Sequence, residues 1–152
     1  MADNPDDTMR AYAGSLPAPE FDAPAWVTPP PLADTTVAIV TTAALHRAHD
    51  NGFTGSDTSY RVVERDVRDL VLGHWSPNFD RAGFAMDLDV VFPIDRLEEL
   101  ATDGVIGAVA PRHLAFAGNQ EDTVTKVRLD SGPHAAALLR DDGVDVVVLT
   151  PV

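Results

Sequence analysis

A chain of 152 residues is long enough for one domain with a core of its own and too short for two. Hydrophobic residues make up 45% and charged residues 23%, a globular balance. No apolar run comes near the roughly 20 residues of a membrane-crossing helix, so a soluble protein is expected. The net charge of -13 opposes nucleic acid and anionic membranes as partners. The absence of cysteine excludes disulfides, thiolate nucleophiles, iron–sulfur ligation and zinc–cysteine sites within these residues.

The first ten residues carry Asp3, Asp6 and Asp7 where a secretory signal would be basic and then apolar, which makes the cytoplasm the expected address. Residues 1–31 hold seven of the twelve prolines, among them Pro29, Pro30 and Pro31. Proline removes backbone donors and disfavours both helix and central strand. The segment therefore reads as an acidic, proline-rich arm ahead of an α/β domain over residues 32–152. Phe21, Trp26 and Val27 are apolar anchors able to pin the arm to the domain or to a partner.

Val37 to Val40 is an apolar, partly β-branched run of strand length after a polar turn, and predicts a buried strand. Residues 43–59 contain Gly52, Gly55 and no helical stripe, and are expected to be loop. Tyr60 to Val63 alternates like a short strand, and Leu70 to Leu72 repeats the apolar theme before His74. Asp95 followed by Glu98 has the spacing of a capping box, with Leu97, Leu100 and Ala101 on one face and Gly104 ending the helix. Val105 to Ala110 is then expected as a strand that Pro111 stops. Ser131 is placed to cap a helix over Pro133 to Asp141, Gly143 suits the left-handed residue beyond it, and Val144 to Thr150 is the last strand.

Alternating helix and strand through residues 95–150 predicts an α/β fold with a mostly parallel sheet flanked by helices. The near-continuous apolar character of the last strands fits burial on both faces. The Val144 strand would be an exposed edge, so the sheet is expected to be incomplete and finished by a further half or a partner.

Ligands of parallel sheets collect beyond the carboxyl ends of the strands. His46, His74 and His113 fall at such positions and are the candidate catalytic groups, while His49 and His134 are assigned no role. The run His74 to Arg81 is dense in groups able to hold a ligand, with Trp75, Asn78 and Asp80 as candidate substrate contacts. The competing reading makes it a structured connection, with Trp75 filling the core edge, Asn78 satisfying the turn and Asp80 paired at the surface with Arg81. Arg112 has the guanidinium to bind a substrate carboxylate in bidentate fashion, or to stand in solvent. The histidine trio also suits a metal in principle, but lacks a compact ligand pattern, so no metal ligand is assigned. There is no dinucleotide glycine motif, no Walker lysine and no nucleophile elbow.

Taken together, Trp26 to Pro29, Val37 to Ala43, His46, Asp57 to Arg61, His74, Asn78 to Asp80, Val91 to Arg96, Glu99 to Ala101, Asp103 to Ile106, Val109 to His113, Gly132-Pro133 and Asp142 to Thr150 resemble the selenoprotein B family of glycine, sarcosine, betaine and D-proline reductases. The similarity runs over about residues 22–152 and is closest to the shorter, D-proline reductase type of subunit. The resemblance implies a reductive cleavage of a carbon–nitrogen bond in a small amino acid or amine. It also implies a selenocysteine or cysteine directly after the strand ending at Thr150, in an adjoining segment, with no cofactor in this chain. His46, His74 and His113 would then sit near the reactive sulfur or selenium.

Three accounts of the missing nucleophile arise: a stop at a selenocysteine codon, a split protein whose carboxy-terminal half is a companion subunit, or a degenerate scaffold. In each, the 152 residues alone are expected to be inactive and to belong to an oligomer. The alternatives are a non-catalytic binding or assembly subunit and a histidine-based, metal-dependent hydrolase or lyase.

Overall fold

The computed structural model describes residues 5–15, 26–75, 81–118, 120 and 125–152. Helix α1 (Pro5–Ser15) lies in the arm, a departure from the expectation that proline would exclude helix there. It fits between Pro5, tolerated in a first turn, and Pro17. Of the three arm anchors, Phe21 lies outside the described residues, and Trp26 and Val27 are both at least 80% exposed.

The sheet is organised by β1 (Thr36–Thr41), whose Val37, Ala38 and Ile39 are buried with both faces covered. The expected loop over residues 43–59 instead contains β2 (Leu45–Arg47). After β3 (Tyr60–Glu64), strand β4 (Leu70–Leu72) pairs antiparallel with β2, Leu45 opposite Leu72. Three residues are too few to show a periodicity, which is why β2 leaves no trace in the pattern.

A short helix, α2 (Arg81–Met86), precedes α3 (Ile94–Thr102). The capping box does not form. The cap is Pro93, the Asp95 amide donates to Asp89 Oδ1 at 3.1 Å, and Glu98 pairs with Arg65. The far end behaves as read: Gly104 has φ 71°, Gly104 N–H donates to Ala101 O, and Val105 N–H to Leu100 O. These two bonds make a Schellman closure. They also consume Val105 and Ile106, so the next strand, β5 (Ala108–Val109), is only two residues long.

Pro111 interrupts this strand without ending it. β5 and β6 (Arg112–Phe116) are consecutive stretches beside the same edge of β1, with Thr36 opposite Ala108 and Val40 opposite Leu114, both parallel. β3 adds antiparallel to β6 from Tyr60–Phe116 to Glu64–Arg112. A π-turn (Val127–Ser131) leads into α4 (Gly132–Asp141), with Ser131 in the turn and making no capping bond. Gly143, φ 70°, repeats the Schellman closure through Val144 N–H to Leu139 O.

The last strand, β7 (Val146–Thr150), pairs parallel with the other edge of β1 along five residues. The Asp145 carboxylate clips its start to the Thr36 amide at 2.9 Å. The result is a mostly parallel sheet in the order β3-β6-β1-β7, beside the β2-β4 ribbon. α3 packs with Phe92, Ile39 and Leu45 on one face, and α4 with Ala38, Leu114 and Phe116 on the other. Among the described strands β7 pairs with β1 alone, and its Leu149 is 70% exposed.

Candidate functional site

Because β1, β6 and β7 are parallel, their carboxyl ends share one rim, where Thr42, Gly118 and Val152 meet. The Thr42 hydroxyl accepts the Val152 amide at 2.8 Å, and the Thr42 amide donates to Thr150 O at 3.2 Å. Gly118 is wedged among three groups: a Cβ there would stand 2.7 Å from His74 Nε2, 2.9 Å from Val152 O and 3.0 Å from Thr42 O. No side chain fits, and the close approach explains the glycine.

His74 thus comes to the rim from the end of the β2-β4 ribbon, nearly buried. Burial pushes its imidazole below the usual histidine range, the charge of Arg81 acts in the same direction, and a hydrogen bond with the Val152 backbone opposes them. The Arg81 guanidinium also donates to His74 O at 2.5 Å. The Trp75 ring stacks on the His74 ring, centroids 6.1 Å apart and planes 21° apart. Asn78 and Asp80 lie outside the described residues.

His46 stands one layer away on β2, half-buried. Its Nδ1 is 2.8 Å from Arg47 O. A carbonyl only accepts, so Nδ1 carries a proton, and in the neutral ring Nε2 is the lone-pair nitrogen. That nitrogen lies between Gly52 and Gly73, where a Cβ on either would come within 3.3 Å. Gly73 is the residue before His74 and is itself pressed against Ala44 O. Ala44, φ 55°, is a buried non-glycine residue in the left-handed region, at the turn that carries the chain from β1 into β2.

The wall around His46 is held by Arg61. It donates to Asn51 O, Gly52 O and the Asp57 carboxylate at 2.9–3.0 Å, and it lies 4.2 Å over the Phe53 ring. Burial raises the Asp57 carboxyl, but hydrogen bonds from the Ser59 hydroxyl and amide and from Arg61 outweigh it and hold Asp57 below the usual carboxylate range. Gln120 ties the same loop to the rim by donating to Asp57 O and Ala117 O.

His113 does not join this group. It was expected in a loop after the strand, but it lies inside β6, five residues or about 16 Å of strand short of Gly118. Its Nδ1 accepts the Ile39 amide at 3.0 Å, and its ring meets Phe92 edge-on at 5.4 Å. The cause is the Pro111 break, where the Pro111 carbonyl turns away to accept from the Arg65 amide. The Ile39 donor on β1 is satisfied by an imidazole in place of a strand carbonyl. Accepting at Nδ1 puts the proton on Nε2, and burial lowers the pKa to about 4, with Glu98 opposing and Arg65 and Arg68 reinforcing.

Arg112 is committed too. Its guanidinium forms a fork to the Asp142 carboxylate, 2.8 and 2.5 Å, tying the start of β6 to the end of α4 at the end of the sheet opposite the rim. Among the described residues no three His, Asp or Glu gather in a metal-holding cluster. Nor is any described helix long and apolar enough to cross a membrane. Thr42, Gly73 and Gly118 are rim residues that the candidate list lacks. The one sequence signal for them was glycine beside His74 and in the Ala117-Gly-Asn-Gln120 loop.

The family described as glycine/sarcosine/betaine reductase selenoprotein B matches residues 9–152. The D-proline reductase subunit gamma of Acetoanaerobium sticklandii is 37% identical over 135 residues, covering 82% of this chain and 54% of that protein. The glycine reductase complex component B subunit gamma of Carboxydothermus hydrogenoformans is 28% identical over 151 residues, covering 91% of this chain and 33% of that protein. The chain therefore spans about half the length of one relative and a third of the other. No solved structure matches it.

Proposed function

This chain belongs to the selenoprotein B family of glycine, sarcosine and betaine reductases, and from that premise we propose that it forms the amino-terminal part of a reductase subunit that cleaves a carbon–nitrogen bond in a small amino acid or amine. The chain has no cysteine, so the nucleophile, a selenolate or thiolate, belongs to an adjoining segment or companion subunit that continues from the β7 end of the sheet. The chalcogen attacks the carbon, a chalcogen–carbon bond forms as the carbon–nitrogen bond breaks, and the nitrogen leaves with the electron pair and takes up a proton. The electrons that complete the reduction also come from outside these residues.

The observation that carries this reading is the His74 ring against Val152, at the rim built by Thr42 and Gly118. A group placed after Val152 would begin beside that imidazole. His74 orients the end of β7, and a neutral ring beside a selenol or thiol takes its proton. His46, with its lone-pair nitrogen in a glycine-lined gap, serves as the second proton-transfer group. In this reading His113 positions the sheet and touches no reacting atom.

Reading the coding DNA past the Val152 codon tests the proposal. An in-frame UGA or cysteine codon followed by further α/β sequence, or a neighbouring frame that begins with such a codon, is expected. Unrelated sequence in both places contradicts it.

One set of observations favours a second reading, an assembly subunit. Among the described residues no strand pairs with the outer edge of β7, Leu149 and Trp26 are exposed, and a cavity of about 330 Å³ separates the Trp26–Pro29 stretch from β7. Purification discriminates: a chain that stays monomeric and captures no companion subunit rules the assembly reading out.

A further inference from the structure

The ladder between β1 and β7 ends in an irregular step. In a parallel ladder a residue that donates its N–H to the neighbouring strand also accepts there at its C=O, two residues further on. Thr42 N–H donates to Thr150 O at 3.2 Å, so regular pairing would bring the Val152 amide to the Thr42 carbonyl. The hydroxyl takes that place. Val152 N–H donates to Thr42 Oγ1 at 2.8 Å, and the same hydroxyl lies 3.4 Å from Val152 O. The Thr42 carbonyl faces Gly118 instead, 3.0 Å from where a Cβ would stand. β1 carries the pairing no further, because Ala43 bridges to Ala117 and the Ala44 amide donates to Phe116 O, on the β6 side.

A side chain therefore holds Val152 where backbone would hold a residue inside a strand. Val152 is 41% exposed, so little packing fixes it, and its other polar neighbour is His74, whose ring hydrogen-bonds the Val152 backbone. Threonine suits the task, since its branched Cβ restricts χ1 and keeps the hydroxyl where the amide meets it. The Thr150 hydroxyl, by contrast, donates to Val91 O at 3.0 Å and fixes the strand itself.

We infer that Thr42 is a positioning residue, whose hydroxyl sets the path of the chain as it leaves β7 past His74. That this path delivers a selenolate or thiolate to the imidazole rests on the reductase reading. Thr42 touches no reacting atom in it and acts through Val152 and His74.

Thr42→Val keeps the branched shape and removes the hydroxyl. In NMR of the whole chain it is expected to let the Val152 amide exchange roughly tenfold faster, the loss of one net hydrogen bond, while the Val148 amide keeps its rate. The His74 ring, deprived of a bond that favours its charged form, is expected to titrate lower still, with burial and the Arg81 charge unchanged. Thr42→Ser restores the hydroxyl and is expected to return both readings. Thr150→Val loosens the same strand while leaving the bond to the Val152 amide intact, and is expected to leave the His74 titration in place. An unchanged Val152 rate or His74 titration in Thr42→Val, no recovery in Thr42→Ser, or an equal shift in Thr150→Val overturns the inference. These readouts need no turnover and no residue beyond Val152, so they stand apart from the downstream DNA, whose sequence tests the reductase reading alone.

Discussion

His113 and His74 are both nearly excluded from solvent, yet the body of the sheet and its carboxyl rim put them to opposite uses. In the body, a proline break leaves the Ile39 donor without a strand carbonyl, and His113 supplies the acceptor with Phe92 against its ring. At the rim, His74 is held against Val152 by a glycine that tolerates no side chain, with the carbonyls of Thr42 and Val152 around it. Burial lowers the proton affinity of both rings. The difference lies in what each touches: an internal amide in one case, the backbone of Val152, two residues beyond β7, in the other. A depressed pKa is therefore no mark of function by itself, and the neighbours decide.

The comparison breaks most sharply at His113. Replacing it with alanine leaves a cavity and an unpaired Ile39 donor, and is expected to cost about 4 kcal/mol in denaturant unfolding. A loss under about 1 kcal/mol would place His113 outside the core framework.

The next largest effect is a pH dependence. An unfolded histidine titrates near 6.5 and folded His113 near 4, so between these values the unfolded chain binds the extra proton. Stability is then full above pH 6.5 and falls by roughly 3 kcal/mol as the pH drops to about 4. A His113→Leu chain is expected to lose that slope, which unfolding curves across the range would reveal.

At the rim, Gly118→Ala forces a methyl onto His74 Nε2, Val152 O and Thr42 O. It is expected to cost about 2 kcal/mol and to move the His74 ring signals in NMR, with those of His113 unchanged. Movement of both would mean that the two regions are coupled. The smallest effect is expected at Arg112. Its fork to Asp142 ties β6 to α4 far from the rim, so Arg112→Ala should lower thermal stability slightly and leave the His74 and His46 signals in place.

These contrasts also mark what a sequence can carry. Strands β1 and β7, and the helix ends at Gly104 and Gly143, were legible because each is written in a few adjacent residues, although β7 alternates half-buried with exposed side chains and is not covered on both faces as its apolar run implies. β2 was not, being three residues long and defined only by its partner β4. Pro111 was read as the end of a strand, yet the chain resumes pairing beyond it. That single misreading moved His113 from the core to the rim, where it seemed to join His46 and His74. Arg112 looked free because Asp142, thirty residues away, is brought to it only by the turn after α4. His74 reaches the rim from the antiparallel β2-β4 ribbon and not from a parallel strand as its sequence position suggests, and Gly118 could not be anticipated, since a wedge between an imidazole and the carbonyls of Thr42 and Val152 has no local signature.

The central claim is that the imidazole of His74 acts on whatever follows Val152. Extending the chain through the first cysteine of a family-type continuation and titrating that thiol tests it most directly. The account expects the thiol to ionise below the ordinary value of about 8.5 and to return to it in the His74→Ala chain. A thiol that titrates near 8.5 in both chains would contradict it.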